Sequence, residues 1–218
     1  INNYDSQTIC WLIISVSVCK PLENDSLARF CSIFLQKQND VFKKEFKKTI
    51  QRSFISPEPN FFFLKKIHDY CEDLFSHDEI KKLLQLKRKD IPDIIFFYKE
   101  FPELIDENEL KDLQKEQENF DEFIDTGLNS STLMKIIRND DIDSFQQIVI
   151  NQKIDVNQET KNSSLERIPI LKNNPSLIQY AAFFGAVKIF KYLFLNEAKL
   201  DKKDYSNRTC YHYAIAGG

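Results

Sequence analysis

A ten-residue segment near the C-terminus recurs after 33 residues (209 − 176 = 33), and this repetition constrains the fold more than any other feature. Residues 176–185 read SLIQYAAFFG, and residues 209–218 read TCYHYAIAGG. Both copies begin with a hydroxyl side chain, place Tyr-Ala at the fifth and sixth positions and end in glycine. A fixed period of this length is typical of small helical units that stack, because one unit cannot bury its apolar face alone.

The segment 176–203 has the pattern of two short helices. In its first half, Ile178, Ala181 and Ala182 recur at spacings of three and four, which predicts a helix with a small apolar face. Gly185 is expected to end this helix, since glycine readily takes the positive φ of a helix C-terminus. Apolar residues at the same spacings predict a second helix, and they are Ile189, Phe190, Leu193 and Phe194.

The 33-residue period, with Thr209, His212 and Ala214 in its core, resembles the T-x-L-H-x-A signature of ankyrin repeats. The resemblance implies a turn and two antiparallel helices in each unit, a curved solenoid, and action by binding. Residues 175–185, which follow a segment containing Leu-Glu-Arg, look most like the large ankyrin families expanded in some unicellular parasites. The resemblance also implies structural roles for Ser176, Ala181, Gly185, Asp204, Asn207, Thr209 and His212.

Two positions depart from the family's glycines. In the segment 204–209, which resembles the turn between repeats that is called the finger, Asn207 replaces glycine and is expected to take a positive φ. Glu197 occupies the glycine position after the second helix. There we expect the neighbouring Asn196 to supply the left-handed turn instead.

A weaker copy of the unit occupies residues 131–157, with Asp140 in the place of the turn glycine. From Ser131 to Ser176 is 45 residues, so 12 residues (45 − 33 = 12) are extra, and the polar segment 158–174 is expected to hold them as an enlarged finger. Because the chain stops at Gly218, where a second helix should begin, we expect it to be a fragment of a longer protein. The predicted C-terminal domain, 128–218, thus comprises a degenerate repeat (131–157), an inserted finger (158–174), a well-matched repeat (176–203) and a truncated repeat (204–218).

Residues 1–127 are predicted to form an all-helical N-terminal region. The apolar run Ile9–Cys19 is shorter than the roughly 20 residues of a membrane helix, and no basic segment precedes it, so it indicates a buried helix. Apolar stripes and capping residues predict further helices around Leu27, Phe30, Cys31, Phe34 and Leu35; Phe42, Phe46, Ile50 and Phe54; Phe62 to Leu74; Ser76 and Glu79 onward; Asp90 and Pro92 to Phe101; and Asp106 to Gly127. The predicted fold class is all-α, a helical solenoid with ankyrin repeats at its C-terminal end.

Composition and charge limit the class of partner. The formal net charge of −3 is too small to imply nucleic acid or an anionic membrane as a general partner. With only 4 glycines against 19 phenylalanines, the chain favours helices over a sheet rich in hairpins. Five cysteines form no C-x-x-C pair, which indicates reduced thiols in a cytoplasmic compartment.

Few residues could carry chemistry. His68, Cys71 and His77 are close in sequence, but a zinc site usually needs a fourth ligand. The usual phosphate-binding and nucleophile motifs do not occur, so we expect no catalytic residue, no cofactor and no metal. Nine acidic and two basic residues lie within 106–125 and are spread around a helix, as on a solvated face. The basic runs at 43–52 and 81–89 are expected to pair with that acidic helix or to meet an acidic partner.

The predicted function is a non-catalytic protein–protein interaction module that acts through the ankyrin-repeat surface. By the resemblance, the contact residues are Tyr205, Ser206 and Arg208 on the finger. Phe183 and Phe184, beside the turn glycine, are expected to contact the partner too, because aromatic side chains are common anchors of binding surfaces. Burial against the inserted finger or the next repeat is the alternative for these two phenylalanines.

Two other functions are consistent with the sequence. In the first, the N-terminal helices recruit an enzyme, such as a ubiquitin ligase, while the repeats hold its target. In the second, the chain is a helical enzyme with an unrecognised site, which would bring His68 or His77 together with carboxylates in a cleft.

Overall fold

The computed structural model describes residues 3–54, 60–85, 94–116, 118–160, 166 and 168–218. This part of the chain forms twelve α-helices and contains no β-strand, apart from an isolated antiparallel bridge between Glu159 and Ser176. The predicted all-α class is therefore confirmed. The chain divides into two compact units, Ile1–Leu110 and Lys111–Gly218, called here the N-terminal and C-terminal units.

The N-terminal unit is built mainly from five α-helices and two 3-10 helices that follow them. The α-helices are α1 (Asn3–Cys19), α2 (Asn24–Gln36), α3 (Asp40–Ser53), α4 (Phe61–Tyr70) and α5 (His77–Gln85). The 3-10 helices are Ile95–Phe97 and Pro102–Leu104. The next α-helix, α6 (Glu107–Glu116), contains the division between the units.

Helix α1 contains the apolar run Ile9–Cys19 and buries only one of its faces. Cys10 and Ile13 are buried, whereas Trp11, Leu12 and Val18 are 42%, 62% and 48% exposed. The prediction of a buried helix thus holds for half of its surface. Among the described residues, no helix combines the length and the apolar character that crossing a membrane requires.

The apolar stripes of α3 and α2 differ in how well they predict burial. On α3, Phe42, Phe46, Ile50 and Phe54 are all buried, as their spacing of four predicts. On α2, the buried residues are Asn24, Ala28, Cys31 and Leu35. The predicted stripe is therefore wrong at Phe30, which is 54% exposed and stacks on Phe34 with ring centroids 5.7 Å apart.

The helix predicted to end at Phe101 ends earlier. Ile94 is α-helical, but from Ile95 the chain forms a short 3-10 helix and turns, and Ile94, Ile95, Phe96 and Phe97 are all buried. A run that is apolar on every side carries no helical period, so its conformation is decided by packing. Asp90 and Pro92, which mark the start of that predicted helix, lie outside the described residues.

The predicted helix from Asp106 to Gly127 is divided into α6 and α7 (Phe120–Thr126). Asn119 takes a left-handed conformation with φ 50°. The Ser130 hydroxyl donates to the carbonyls of Glu118 and Asn119, and the Asn119 amide donates to Ser130 O at 3.2 Å. These bonds hold the Asn119 turn against Ser130, while Asn119 O still accepts from the Phe123 N–H at 3.1 Å in the first turn of α7.

Three predicted helix ends have the expected geometry. The Ser76 N–H donates to Glu79 Oε2 at 2.9 Å, and the Glu79 N–H donates to Ser76 Oγ at 3.3 Å, which is a capping box. Asp106 Oδ1 accepts from the Asn108 N–H at 2.9 Å. Gly127 ends α7 with φ 67°. The helix predicted to reach Leu74 ends earlier, because the backbone of Cys71 leaves the helical region with φ −134°.

The C-terminal unit contains two helical hairpins and a last helix. The first hairpin is α8 (Thr132–Arg138) with α9 (Ile142–Gln152), the second is α10 (Leu177–Phe183) with α11 (Val187–Leu195), and the last helix is α12 (Cys210–Gly217). Helix α10 packs against α8 on one side and α12 on the other, while α9 packs against α11. The first helices of the two hairpins and α12 therefore lie side by side, and so do the second helices of the two hairpins.

The division between the units differs from the predicted boundary at 127/128, because α7 is tied to α8. Glu118 Oε2 accepts from the N–H and the hydroxyl of Thr132 at 2.9 and 3.1 Å. Glu122 Oε2 lies 2.9 Å from Lys135 Nζ. The residues just before 128 thus belong to the compact unit that contains the hairpins.

The backbone repeats itself where the sequence does. Asp140 and Gly185, at the turns of the two hairpins, have φ values of 50° and 65°. Asn174 and Asn207, one period apart, have φ values of 51° and 64°, which confirms the expected positive φ of Asn207. After α11, however, Glu197 itself takes φ 65° while Asn196 has φ −97°, so the prediction that Asn196 supplies the left-handed turn is wrong.

Asp140 caps a helix of the next hairpin. Its Oδ2 accepts from the Lys188 N–H at 3.0 Å and its Oδ1 from the Ile189 N–H at 2.9 Å, so it satisfies two amides in the first turn of α11. A glycine could take the same backbone conformation without providing this cap. The Asp140 side chain thus links the two hairpins.

We expect Asp140→Gly to lower the free energy of unfolding by about 1–2 kcal/mol, because the loss of the cap outweighs the relief at a positive φ. Urea denaturation followed by far-UV circular dichroism measures the change. Asp140→Asn, which tolerates the same φ and keeps one acceptor oxygen, is the matched control and should lose less. Equal or greater stability of the glycine variant would contradict a capping role.

Candidate functional site

The turn 204–208 is built around a buried carboxylate. The Asp204 side chain is 0% exposed. Its Oδ1 accepts from the N–H groups of Ser206 and Arg208 at 2.9 and 2.8 Å, and the Asp204 N–H donates to Arg208 O at 3.0 Å. A turn that is closed by both side-chain and backbone bonds presents its tip in one conformation.

Tyr213 of α12 donates a hydrogen bond to the same carboxylate. Its hydroxyl lies 2.7 Å from Asp204 Oδ2 and 3.1 Å from Ile170 O, two acceptors on different sides of it. Burial, and then the neighbouring Asp204 carboxylate, raise the pKa of Tyr213 above its usual range. The phenol therefore stays protonated and acts as a donor that joins α12, the turn and the segment before α10.

Gln179 of α10 also holds the turn. Its Nε2 donates to Lys202 O at 2.8 Å and to Arg208 O at 3.2 Å, and its Oε1 accepts from the Ser176 N–H at 2.7 Å. The side chain is buried. The prediction from sequence missed this residue, although Gln179 occupies the position that His212 has one period later (212 − 179 = 33).

The tip of the turn exposes one large aromatic side chain. Tyr205 is 77% exposed. Ser206 is exposed and donates from its hydroxyl to Asn173 Oδ1 at 2.9 Å, which connects this turn to the corresponding position of the preceding segment. Arg208 is half-buried, and its Nε lies 3.8 Å from Asp204 Oδ2. Of the three predicted finger contacts, Tyr205 is thus the most accessible.

Phe183 and Phe184 have different environments. Phe183 is 3% exposed, as the alternative of burial predicts. Gly217 packs closely against its backbone, since a Cβ at position 217 would lie 1.7 Å from the Phe183 carbonyl oxygen. Phe184 is half-buried, with its ring centroid 4.7 Å from that of Tyr180 and 5.9 Å from the Arg138 guanidinium carbon. Only part of one of the two rings is therefore available to a partner.

The remaining motif residues make local contacts. Ser176 and Ala181 are buried at the start and middle of α10. The Thr209 N–H donates to His212 Nδ1 at 3.2 Å, which assigns that nitrogen as the acceptor and ties His212 to the first turn of α12. These contacts are consistent with the structural roles that the resemblance implies for them.

His68, Cys71 and His77 are not brought together as ligands. Within the part of the chain that the structure describes, no group of three or more histidine, cysteine or acidic side chains could hold a metal ion. His68 Nε2 lies 3.2 Å from Glu100 Oε2, whereas the His77 ring stacks on Phe101 with centroids 4.2 Å apart. The two histidines therefore have separate partners.

Two lysines of the basic runs have acidic partners outside the segment 106–125, and residues 86–89 of the second run lie outside the described residues. Lys47 Nζ lies 2.6 Å from Glu79 Oε2, and Lys81 Nζ lies 2.6 Å from Glu103 Oε1. Both pairs join residues within the N-terminal unit. These two lysines therefore do not form the expected ion pairs with the acidic helix.

The most defined surface feature of the C-terminal unit is therefore the Tyr205 turn, which is held by Asp204, Gln179 and Tyr213. Its centre is a carboxylate whose oxygens accept hydrogen bonds from the protein itself. Such an arrangement supports an exposed tip and assigns the carboxylate a structural task. No protein-family model matches the chain, and neither a curated protein nor a solved structure is significantly similar to it.

Proposed function

We propose that the C-terminal unit is an ankyrin-type repeat module without catalytic activity, which binds another protein through the Tyr205 turn. The proposal is supported by the 33-residue repetition, by hairpins that lie side by side, and by the matching positive φ values of Asn174 and Asn207. Stacked repeats of this kind present extended surfaces to their partners.

The observation that carries the proposal is the combination of exposure and rigidity at Tyr205. The side chain is 77% exposed, while the backbone on both sides of it is fixed by the bonds to Asp204. A preordered aromatic anchor loses little conformational entropy on binding and offers both an apolar ring and a hydroxyl. Tyrosine is one of the residues that dominate binding energies at interfaces.

Substitution of Tyr205 tests this function. We expect Tyr205→Ser to weaken binding by about tenfold or more, because it removes the ring that would fill a pocket of the partner. The whole chain, immobilised on resin, is exposed to a cell extract, and retained proteins are quantified by mass spectrometry against a blank resin. Each retained protein is then titrated against wild type and variant.

Tyr211→Ser is the matched control, because Tyr211 is 72% exposed but lies on α12 and not on the turn. A protein bound by wild type and by the Tyr211 variant, and lost with the Tyr205 variant, supports the proposal. If every retained protein binds the Tyr205 variant as tightly as wild type, or if nothing is retained above the blank, the proposal fails.

A further inference from the structure

A cavity of about 520 Å³ opens in the N-terminal unit. It is lined by the end of α2, by the first half of α3, and by the end of α4 with the turn that follows it. This volume is within the range of small-molecule binding sites in proteins. The cavity is remote in sequence from the Tyr205 turn and belongs to the other unit.

One side of the cavity carries three lysines of α3. Lys43 and Lys44 are adjacent, and Lys47 lies four and three residues after them, one turn further along the helix. Their side chains therefore extend from neighbouring positions. Lys47 is neutralised by Glu79, at 2.6 Å. Neither Lys43 nor Lys44 has a carboxylate of a described residue within the 4 Å of an ion pair.

Another side of the cavity is acidic. Asp69, at the end of α4, lies 2.5 Å from Lys65 Nζ and is compensated. Glu72 and Asp73, in the turn after α4, are exposed and have no cationic partner among the described residues. Asp40, at the start of α3, is a carboxylate on the lysine side of the lining, three and four residues before Lys43 and Lys44.

The two sets of charges line the same cavity without pairing. No ion pair joins Lys43 or Lys44 to Glu72 or Asp73 among the described residues, although all four line the same cavity. A ligand with a single charge would gain attraction on one side and meet repulsion on the other. A ligand with separated positive and negative groups satisfies both sides, and this difference provides selectivity.

The remaining lining is largely apolar. Leu35 of α2 and Leu74 of the turn face the cavity, together with the ring of Tyr70 and the half-buried thiol of Cys71. These groups suit an aliphatic segment between the two charged ends of a ligand. Cys71 is also a chemical reporter, since a ligand in the cavity would cover its thiol.

We propose that this cavity binds a small dipolar molecule. Its anionic group lies towards Lys43 and Lys44, its ammonium group lies towards Glu72 and Asp73, and an aliphatic linker contacts Leu35 and Leu74. This binding is independent of the Tyr205 turn and goes beyond the function proposed for the C-terminal unit.

Protection of Cys71 from N-ethylmaleimide tests the proposal. The probes are ε-aminocaproate, which carries both charges, and the singly charged caproate and hexylamine, which share its chain. The rate of Cys71 modification is followed by mass spectrometry in the full chain with Cys19→Ser, because Cys19 is also exposed. We expect ε-aminocaproate to protect at a concentration about tenfold lower than either control probe, which corresponds to one compensated charge.

Charge variants locate the two ends of the probe. The double substitution Lys43→Gln with Lys44→Gln should remove the advantage of ε-aminocaproate over hexylamine. Glu72→Gln with Asp73→Asn should remove its advantage over caproate. Lys48→Gln, an exposed lysine of α3 that does not line the cavity, should change neither.

The outcomes separate clearly. The proposal is overturned if ε-aminocaproate does not slow modification of Cys71, if all three probes protect equally, or if its advantage survives both double substitutions. Circular dichroism checks that each variant keeps its helical content, which we expect because the substituted side chains lie at the surface or make no ion pair with a described residue.

Discussion

Asp204→Ala should lower the free energy of unfolding of the C-terminal unit by about 2–4 kcal/mol, because it removes one acceptor from three donors. The donors are the N–H groups of Ser206 and Arg208 and the hydroxyl of Tyr213, all within 2.9 Å of the carboxylate. The side chain is 0% exposed, so water cannot easily replace it. Hydrogen exchange of backbone amides, resolved by peptide, measures the loss within this unit.

Asp201→Ala is the control for this prediction. Asp201 lies three residues before Asp204, is exposed and makes no hydrogen bond or ion pair with a described residue. Its substitution should change the unfolding free energy by less than about 0.5 kcal/mol. Tyr213→Phe removes one of the three bonds, and combining it with Asp204→Ala should cost less than the sum of the two single changes. Equal effects of the two aspartate substitutions would contradict a central role for Asp204.

The sequence predicts the features that depend on neighbouring residues. Helical spacing in 176–203 predicts α10 and α11, and the glycine at 185 predicts the turn between them. Asn207 is expected to take a positive φ, and its φ is 64°. The Ser76–Glu79 capping box is predicted from two residues alone. Such features are local, because a few dihedral angles and one or two hydrogen bonds determine them.

Contacts between distant residues could not be predicted in the same way. Asp140 caps amides that are 48 and 49 residues away, and Gln179 reaches carbonyls 23 and 29 residues away. The turn at Asn119 contacts the hydroxyl of Ser130, which follows α7 in the sequence. Only tertiary packing brings these groups together, so a polar residue in the pattern does not reveal its partner.

For the candidate surface and the cavity too, the sequence does not predict which residues the fold brings together. Tyr205 is expected to be a contact residue by the resemblance, and its side chain is exposed. Phe183 is adjacent to a turn as well, yet it is buried where Gly217 approaches its backbone. From the sequence, the basic run at 43–52 is expected to pair with the acidic helix or to meet an acidic partner. The fold instead places Lys43 and Lys44 in the lining of one cavity with Glu72 and Asp73.

Alkaline pH should destabilise the N-terminal unit strongly. Burial raises the pKa of Cys10 to about 11 and that of Cys31 to about 12. In the unfolded chain both thiols ionise near pH 8.5. The folded pKa values are raised, so the stabilisation is complete below about pH 8.5 and is lost as the pH rises towards the folded pKa values. Between pH 8 and 10.5 we expect a loss of roughly 2 kcal/mol for each thiol.

Trp11 reports on this unit, because it is the single tryptophan of the chain and lies in α1. Urea denaturation followed by its fluorescence gives the unfolding free energy at each pH. Cys31→Ala removes one ionisable group and also leaves a small cavity, so the slope against pH is compared rather than the absolute stability. The slope should fall without vanishing, because Cys10 and Cys71, whose pKa values are also raised by burial, remain. Cys19→Ala, at an exposed thiol, should leave it unchanged. An unaltered slope in Cys31→Ala would show that other groups cause the alkaline loss.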